Sequence, residues 1–89
     1  MELSRHAVDK LQTYGIEGLR YQDWKATLIT GEVFHDLATG ASGLVMLWEG
    51  RPWVVILSED GSKVLTTYPT DEQTVNNRRG GGRWNFLSN

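Results

Sequence analysis

Hydrophobic and polar positions change their period once along this chain. In the first third the apolar residues recur at helical spacing, and after that they come in short dense blocks cut by turn residues. Ser4 can cap a first helix by accepting a hydrogen bond from a free backbone amide. Ala7, Val8, Leu11 and Tyr14 follow at helical spacing, and Gly15 is a stop. At about 100° per residue, Ala7, Leu11 and Tyr14 form the stripe expected to be buried. His6, Lys10 and Thr13 form a neighbouring stripe, which puts His6 at the edge of the apolar face. A second helix is predicted from about Leu19 to Ile29, with Tyr21, Trp24 and Leu28 on one face and Gly31 as its stop.

The period then shortens. Glu32–Leu37 reads as a weak strand and ATGASG as a small-residue loop. Leu44–Trp48 and Trp53–Leu57 read as strong strands joined by the turn EGRP. SEDGS is another turn with Asp60-Gly61 at its centre, and Lys63–Tyr68 is a last strand ended by Pro69. Such short connections predict an antiparallel meander. Thr70–Gln73 fits a capping box, so a short helix should run to about Arg79, followed by the glycine run Gly80–Gly82. The expected fold is α+β: two N-terminal helices packed on an antiparallel sheet of about four strands, with a short C-terminal helix or tail. One sheet face is expected to stay partly open.

At 89 residues the chain has room for one core, so residues 1–89 are read as a single domain. It contains no cysteine, which excludes disulfides and thiolate metal sites. No apolar run approaches the roughly 18 residues needed to cross a bilayer, and MELSRHAV lacks the pattern of a signal peptide. The expected location is the cytoplasm, or delivery as a toxin domain cut from a larger protein. The net charge of −2 is unevenly spread. Residues 1–74 carry 6 basic and 11 acidic groups, a net −5, while the stretch from Val75 onward has Arg78, Arg79 and Arg83 and no acid. Such a tail is either a solvated terminus or a contact for phosphate.

The chemistry on offer is narrow. GGGR is neither a phosphate-binding loop of an NTPase nor a dinucleotide fingerprint, and no nucleophile elbow is present. His6, His35 and the scattered carboxylates lack metal-ligand spacing, so no metal and no cofactor are expected. His35 is placed at the surface. Trp48 and Trp53 flank a turn and are assigned to packing rather than base stacking. Thr66 and Thr67 are strand neighbours, so one should pack inward and the other face the open side. His6 is open to three readings: surface residue, satisfied boundary residue, or a proton-transfer group near neutral pH.

HAVDKLQTYGI resembles the opening HAxERMxxRGI of a family of small bacterial and phage domains, similar to the wider superfamily of RelE, barnase, EndoU and colicin D ribonucleases. The strand TTY at Thr66–Tyr68 and the ending NRRGGGRW extend the likeness over nearly the whole chain. The resemblance implies a curved antiparallel sheet on N-terminal helices, an active site on the exposed sheet surface, and RNA cleavage without a metal. His6 matches the motif histidine, Asp9 its acid and Lys10 its first arginine. Tyr14 replaces the second arginine and removes a guanidinium.

Metal-free RNA cleavage needs a base for the 2′-OH, positive charge for the transition state and an acid for the leaving oxygen. The expected catalytic set is His6 as acid or base, Lys10 and Arg83 as cations, and Thr67 on the phosphate. Thr66, Tyr68, Arg78, Arg79 and Trp84 are expected to bind substrate. The products would be a 2′,3′-cyclic phosphate and a 5′-hydroxyl. The expected partners are RNA and an antitoxin or immunity protein, with no membrane. Net acidity opposes a general RNA binder. The rival reading is an inactive module of the same fold that binds RNA or a protein; a small structural or phage-assembly protein is the third. An enzyme should bring His6, Lys10, a strand threonine and a tail arginine into one cleft. A binding module should scatter them and expose an apolar patch instead.

Overall fold

A computed structural model describes residues 1–87. The fold is α+β, with three helices and one six-stranded mixed sheet. The elements are β1 (Glu2–Leu3), α1 (Arg5–Thr13), α2 (Gly18–Thr27), a 3₁₀ turn (Leu28–Thr30), β2 (Glu32–Asp36), β3 (Ser42–Trp48), β4 (Arg51–Leu57), β5 (Lys63–Pro69), α3 (Glu72–Gly80) and β6 (Trp84–Phe86). Across the sheet the strands run β1-β5-β4-β3-β2-β6. The meander β2 to β5 is as the sequence predicts. The two added edges were not predicted: β1 is two residues long and pairs parallel to β5, and β6 is three long and pairs antiparallel to β2. Segments that short carry no periodic signal of their own.

Ser4 caps α1 as expected, its hydroxyl accepting from the Ala7 amide at 3.0 Å and donating to the Leu65 carbonyl at 2.8 Å. This cap therefore also fixes the start of α1 against β5. Tyr14 departs from the wheel. It lies past the last turn as the C-cap and is 45% exposed, so only Ala7 and Leu11 of its stripe are buried. The second helix ends early, Leu28 and Ile29 belonging to the 3₁₀ turn. At α3 the cap is Asp71, not Thr70: its carboxylate accepts from the Thr74 amide at 2.7 Å, and that bond lowers the Asp71 pKa. The glycine run is held, the Gly81 and Gly82 amides donating to Asn77 and Arg79 carbonyls.

Alternation along the strands builds two cores on opposite sheet faces. On one, α1, α2 and the 3₁₀ turn bring Ala7, Leu11, Trp24 and Leu28 onto Val55, Leu57, Val64, Trp48 and Trp53. On the other, α3 and β6 bring Val75 and Trp84 onto Phe34 and Val54. The second face is thus covered at one side and open at the other. Trp24 is fully buried and its indole N–H has no acceptor among the described residues. A buried unpaired donor carries a desolvation cost, so Trp24→Phe should change stability by less than about 1 kcal/mol, whereas Trp24→Ala should cost roughly 3–5 kcal/mol. Urea unfolding of the two variants distinguishes these outcomes.

Candidate functional site

The residues expected to cut RNA divide between the two edges of the sheet. Along β5 lies α1, with His6 exposed and Lys10 half-buried. The carboxylate of Asp9 faces Arg5 at 3.5 Å, both side chains largely exposed. Thr67 pairs with Val55 and so points toward the helices; its buried hydroxyl donates to the Val54 carbonyl at 2.8 Å. Thr66 and Tyr68 pair with Ile56 and Val54 and point to the opposite face. Thr66 is half-buried and Tyr68 exposed. One threonine packs inward and the other faces the open side, but the inward one is Thr67, whose hydroxyl is already committed to the backbone. The likeness also sets an active site on the open sheet surface, whereas α1 with His6 and Lys10 packs on the other face. His35 is half-buried on β2 rather than fully at the surface.

Arg83 and Trp84 stand at the far edge. Four strand steps separate β5 from β6, about 19 Å at the usual spacing. There Asp36, on the last position of β2, accepts from four donor groups. Its carboxylate accepts from the Ala38 and Thr39 amides at 2.9 and 3.2 Å, from Arg83 Nε at 3.3 Å and from the Trp84 indole at 3.3 Å. Burial pushes the Asp36 carboxyl up, but these hydrogen bonds outweigh it and hold the pKa at about 2. Arg79 is likewise engaged, 3.4 Å from Glu32 and stacked 3.8 Å over the Phe86 ring. The basic tail therefore neutralises acids of the body, which accounts for the charge asymmetry. Arg78 is half-buried in the same last turn of α3. The sequence hid these pairings because 47 residues separate each arginine from its acid.

Three hollows lie elsewhere among the described residues, one of them about 300 Å³ beside Met1, Lys25, Ala26, Leu28 and Ile29. Another, about 550 Å³, is a groove between the open part of the sheet and α3. Val45, Leu47, Pro52 and Val75 give it an apolar lining, and Glu32 and Glu72 add acids. Leu47 is 61% exposed, and Ile29, beside the lining residue Thr30, is 92% exposed. The sequence signal for Leu47 was its outward place in the alternation Leu44–Trp48. The third, about 170 Å³, lies on the helix side at the β3–β4 turn, beside Tyr14, Arg20, Trp48, Glu49, Arg51 and Trp53. Arg20 lies 5.1 Å over the Trp48 ring and donates to the Gly15 carbonyl at 3.1 Å and to Glu49 at 2.7 Å. Asp23 accepts from the Trp48 indole at 2.8 Å. Glu49 has φ 50 and is the only non-glycine with positive φ among the described residues. That backbone costs on the order of 1 kcal/mol.

Among the described residues no group of three or more His, Cys, Asp or Glu side chains is placed to hold a metal ion, and no helix is long and apolar enough to cross a membrane. The chain matches no protein-family model, no curated protein and no solved structure.

Proposed function

We propose that this domain is a binding module that takes a protein segment into the groove between α3 and the open sheet. One observation carries the reading: an apolar groove with Leu47 exposed at its floor and Glu32 and Glu72 among its lining residues. The matching occupant is a segment with aliphatic anchors and lysine or arginine beside them. Apolar anchors in a concave site supply affinity, and charge complementarity selects the partner. RNA is disfavoured as the occupant because the groove's ionisable groups are acids and two of the three tail arginines are spent on Glu32 and Asp36.

Selection from a random peptide library tests this. The domain should enrich aliphatic, Lys/Arg-bearing sequences, and these should lose at least about tenfold in affinity for Leu47→Asp. Enrichment of acidic sequences, or binding indifferent to Leu47→Asp, overturns the groove.

A second reading, metal-independent RNA cleavage, is supported by one observation: His6 and Lys10 stand one helical turn apart on α1, which packs along β5, although Thr66 and Tyr68 of that strand point to the opposite face. It uses a smaller set than the catalytic set expected from sequence, without Thr67 and Arg83. An assay on total RNA in EDTA decides. Cleavage by the wild type, lost in His6→Ala with folding intact, would replace the binding reading. Under the binding reading neither protein cleaves, and His6→Ala shifts stability by less than about 0.5 kcal/mol.

A further inference from the structure

We infer that the notch at the β3–β4 turn binds a small planar anion, a single aromatic ring carrying a carboxylate. The notch is separate from the groove, on the opposite side of the sheet, and its chemistry is different. Two guanidiniums and three aromatic side chains meet in a space of about 170 Å³. That is smaller than the usual pocket for a drug-sized ligand, so it fits one ring rather than two.

The rings form a connected set. Trp53 meets Tyr14 edge-to-face at 5.6 Å and Trp48 edge-to-face at 6.1 Å. Both tryptophans are nearly buried and fix the wall, while Tyr14, set edge-on against Trp53, is about half exposed. Aromatic walls of this kind favour a flat ligand in offset or edge contact. A carboxylate on that ligand would meet arginine, whose planar fork accepts it in two parallel hydrogen bonds.

The two arginines differ in how they are held. The Nε of Arg51 donates at 3.4 Å to the Thr70 carbonyl, a long bond at a solvent-exposed position. Arg20 is held by Glu49, and both side chains of that pair are about half exposed. An exposed ion pair is weak in water and is readily exchanged. The turn that presents Glu49 also forces it into a left-handed backbone suited to glycine or asparagine. Glutamate at this position is unexplained by the turn alone. It is explained if its carboxylate occupies Arg20 in the empty state and is displaced by the ligand's own carboxylate.

The test is a titration of the full chain with benzoate, read by the indole N–H resonance of Trp48 and by tryptophan fluorescence. Benzamide, which lacks the charge, and acetate, which lacks the ring, serve as probes of each half. The expected result is saturable benzoate binding, with benzamide and acetate each weaker by about tenfold or more. Arg51→Gln should weaken benzoate about fivefold or more. Glu49→Gly should tighten it severalfold, because it frees Arg20 and because glycine accepts the turn's backbone. Glycine accepts the left-handed backbone of position 49, so Glu49→Gly is expected to fold, which a circular dichroism spectrum matching the wild type checks. Absence of saturation with benzoate, acetate binding as tightly as benzoate, or Glu49→Gly weakening it would each overturn the assignment.

Discussion

Asp36→Asn should lower the stability of this domain by about 2–4 kcal/mol, measured by urea unfolding near pH 7. The change keeps the size of the side chain and removes the charge that organises its surroundings. An asparagine amide presents one oxygen and one NH₂ where Asp36 presents two acceptor oxygens. Either the Ala38 and Thr39 amides or the Arg83 and Trp84 donors are then left facing another donor. The site joins β2, the following turn and β6, so the damage should concentrate at the C-terminal edge. Amide hydrogen exchange should show Trp84–Phe86 losing protection before β3 and β4. The pH dependence has a definite sign. The folded pKa of about 2 lies below the ordinary 3.8, so folding favours the ionised form. The stability contributed is full above about pH 5 and is lost as pH falls through 3.8 toward 2. The gap between wild type and Asp36→Asn should therefore narrow on acidification. Asp60, held at about 2 by the Ser62 amide and the Ser62 and Ser58 hydroxyls, and Asp71 at the α3 cap act in the same direction in both proteins. They cancel in the comparison. A gap that stays constant down to pH 2 would remove the charge from the explanation.

What the sequence revealed and what it concealed follow from the range of the interactions. Ser4, the alternation in β3 and β4 and the Asp60-Gly61 turn act over a few residues, and each is legible in the local pattern. The turn illustrates this: Asp60 accepts from Ser58 and Ser62, all within two residues. Tyr14 misled because a helical wheel extends a helix beyond its true end. Gly15 stopped it one residue earlier than the stripe required, and the ring turned to Trp53 instead. The tail shows the opposite limit. Arg79 and Arg83 looked like free phosphate ligands, and Trp84 like a substrate contact, because their partners Glu32 and Asp36 lie on a strand more than half the chain away. A charge count cannot distinguish a cation waiting for phosphate from one already seated on a carboxylate. The groove escaped notice for a related reason. Leu47 is an ordinary strand residue in sequence, and only the short reach of α3, anchored through Val75, leaves it uncovered, while Pro52, read in sequence as part of the turn EGRP, is a buried residue of β4.

Gly43→Ala is the sharpest test of how the second core fixes that reach. Gly43 pairs with Phe34 on one side and Ile56 on the other, in the middle of the sheet. A β-carbon there would lie 2.7 Å from Phe34 Cζ and 2.7 Å from the Val55 carbonyl oxygen. The first contact involves a ring that has nowhere to go. Phe34 is fully buried, stacked on Trp84 at a centroid distance of 4.3 Å and leaning on Phe86 at 5.7 Å. The second contact is backbone and cannot turn aside. One methyl group must therefore displace either the β3–β4 pairing or the Phe34–Trp84 stack. Overpacking of this kind costs about 1–3 kcal/mol or more. In a domain this size that is a fall in Tm of roughly 5–20 °C. Thermal unfolding followed by near-ultraviolet circular dichroism should show both the lower Tm and an altered aromatic signal below it. Because the stack holds Trp84 against Asp36, the variant should also lose part of the protection of β6 that Asp36→Asn loses. The two substitutions together should then cost less than the sum of their separate effects, as expected for residues sharing one structural unit. Full additivity would mean that Phe34 and Asp36 hold β6 independently, and that the second core is two contacts rather than one.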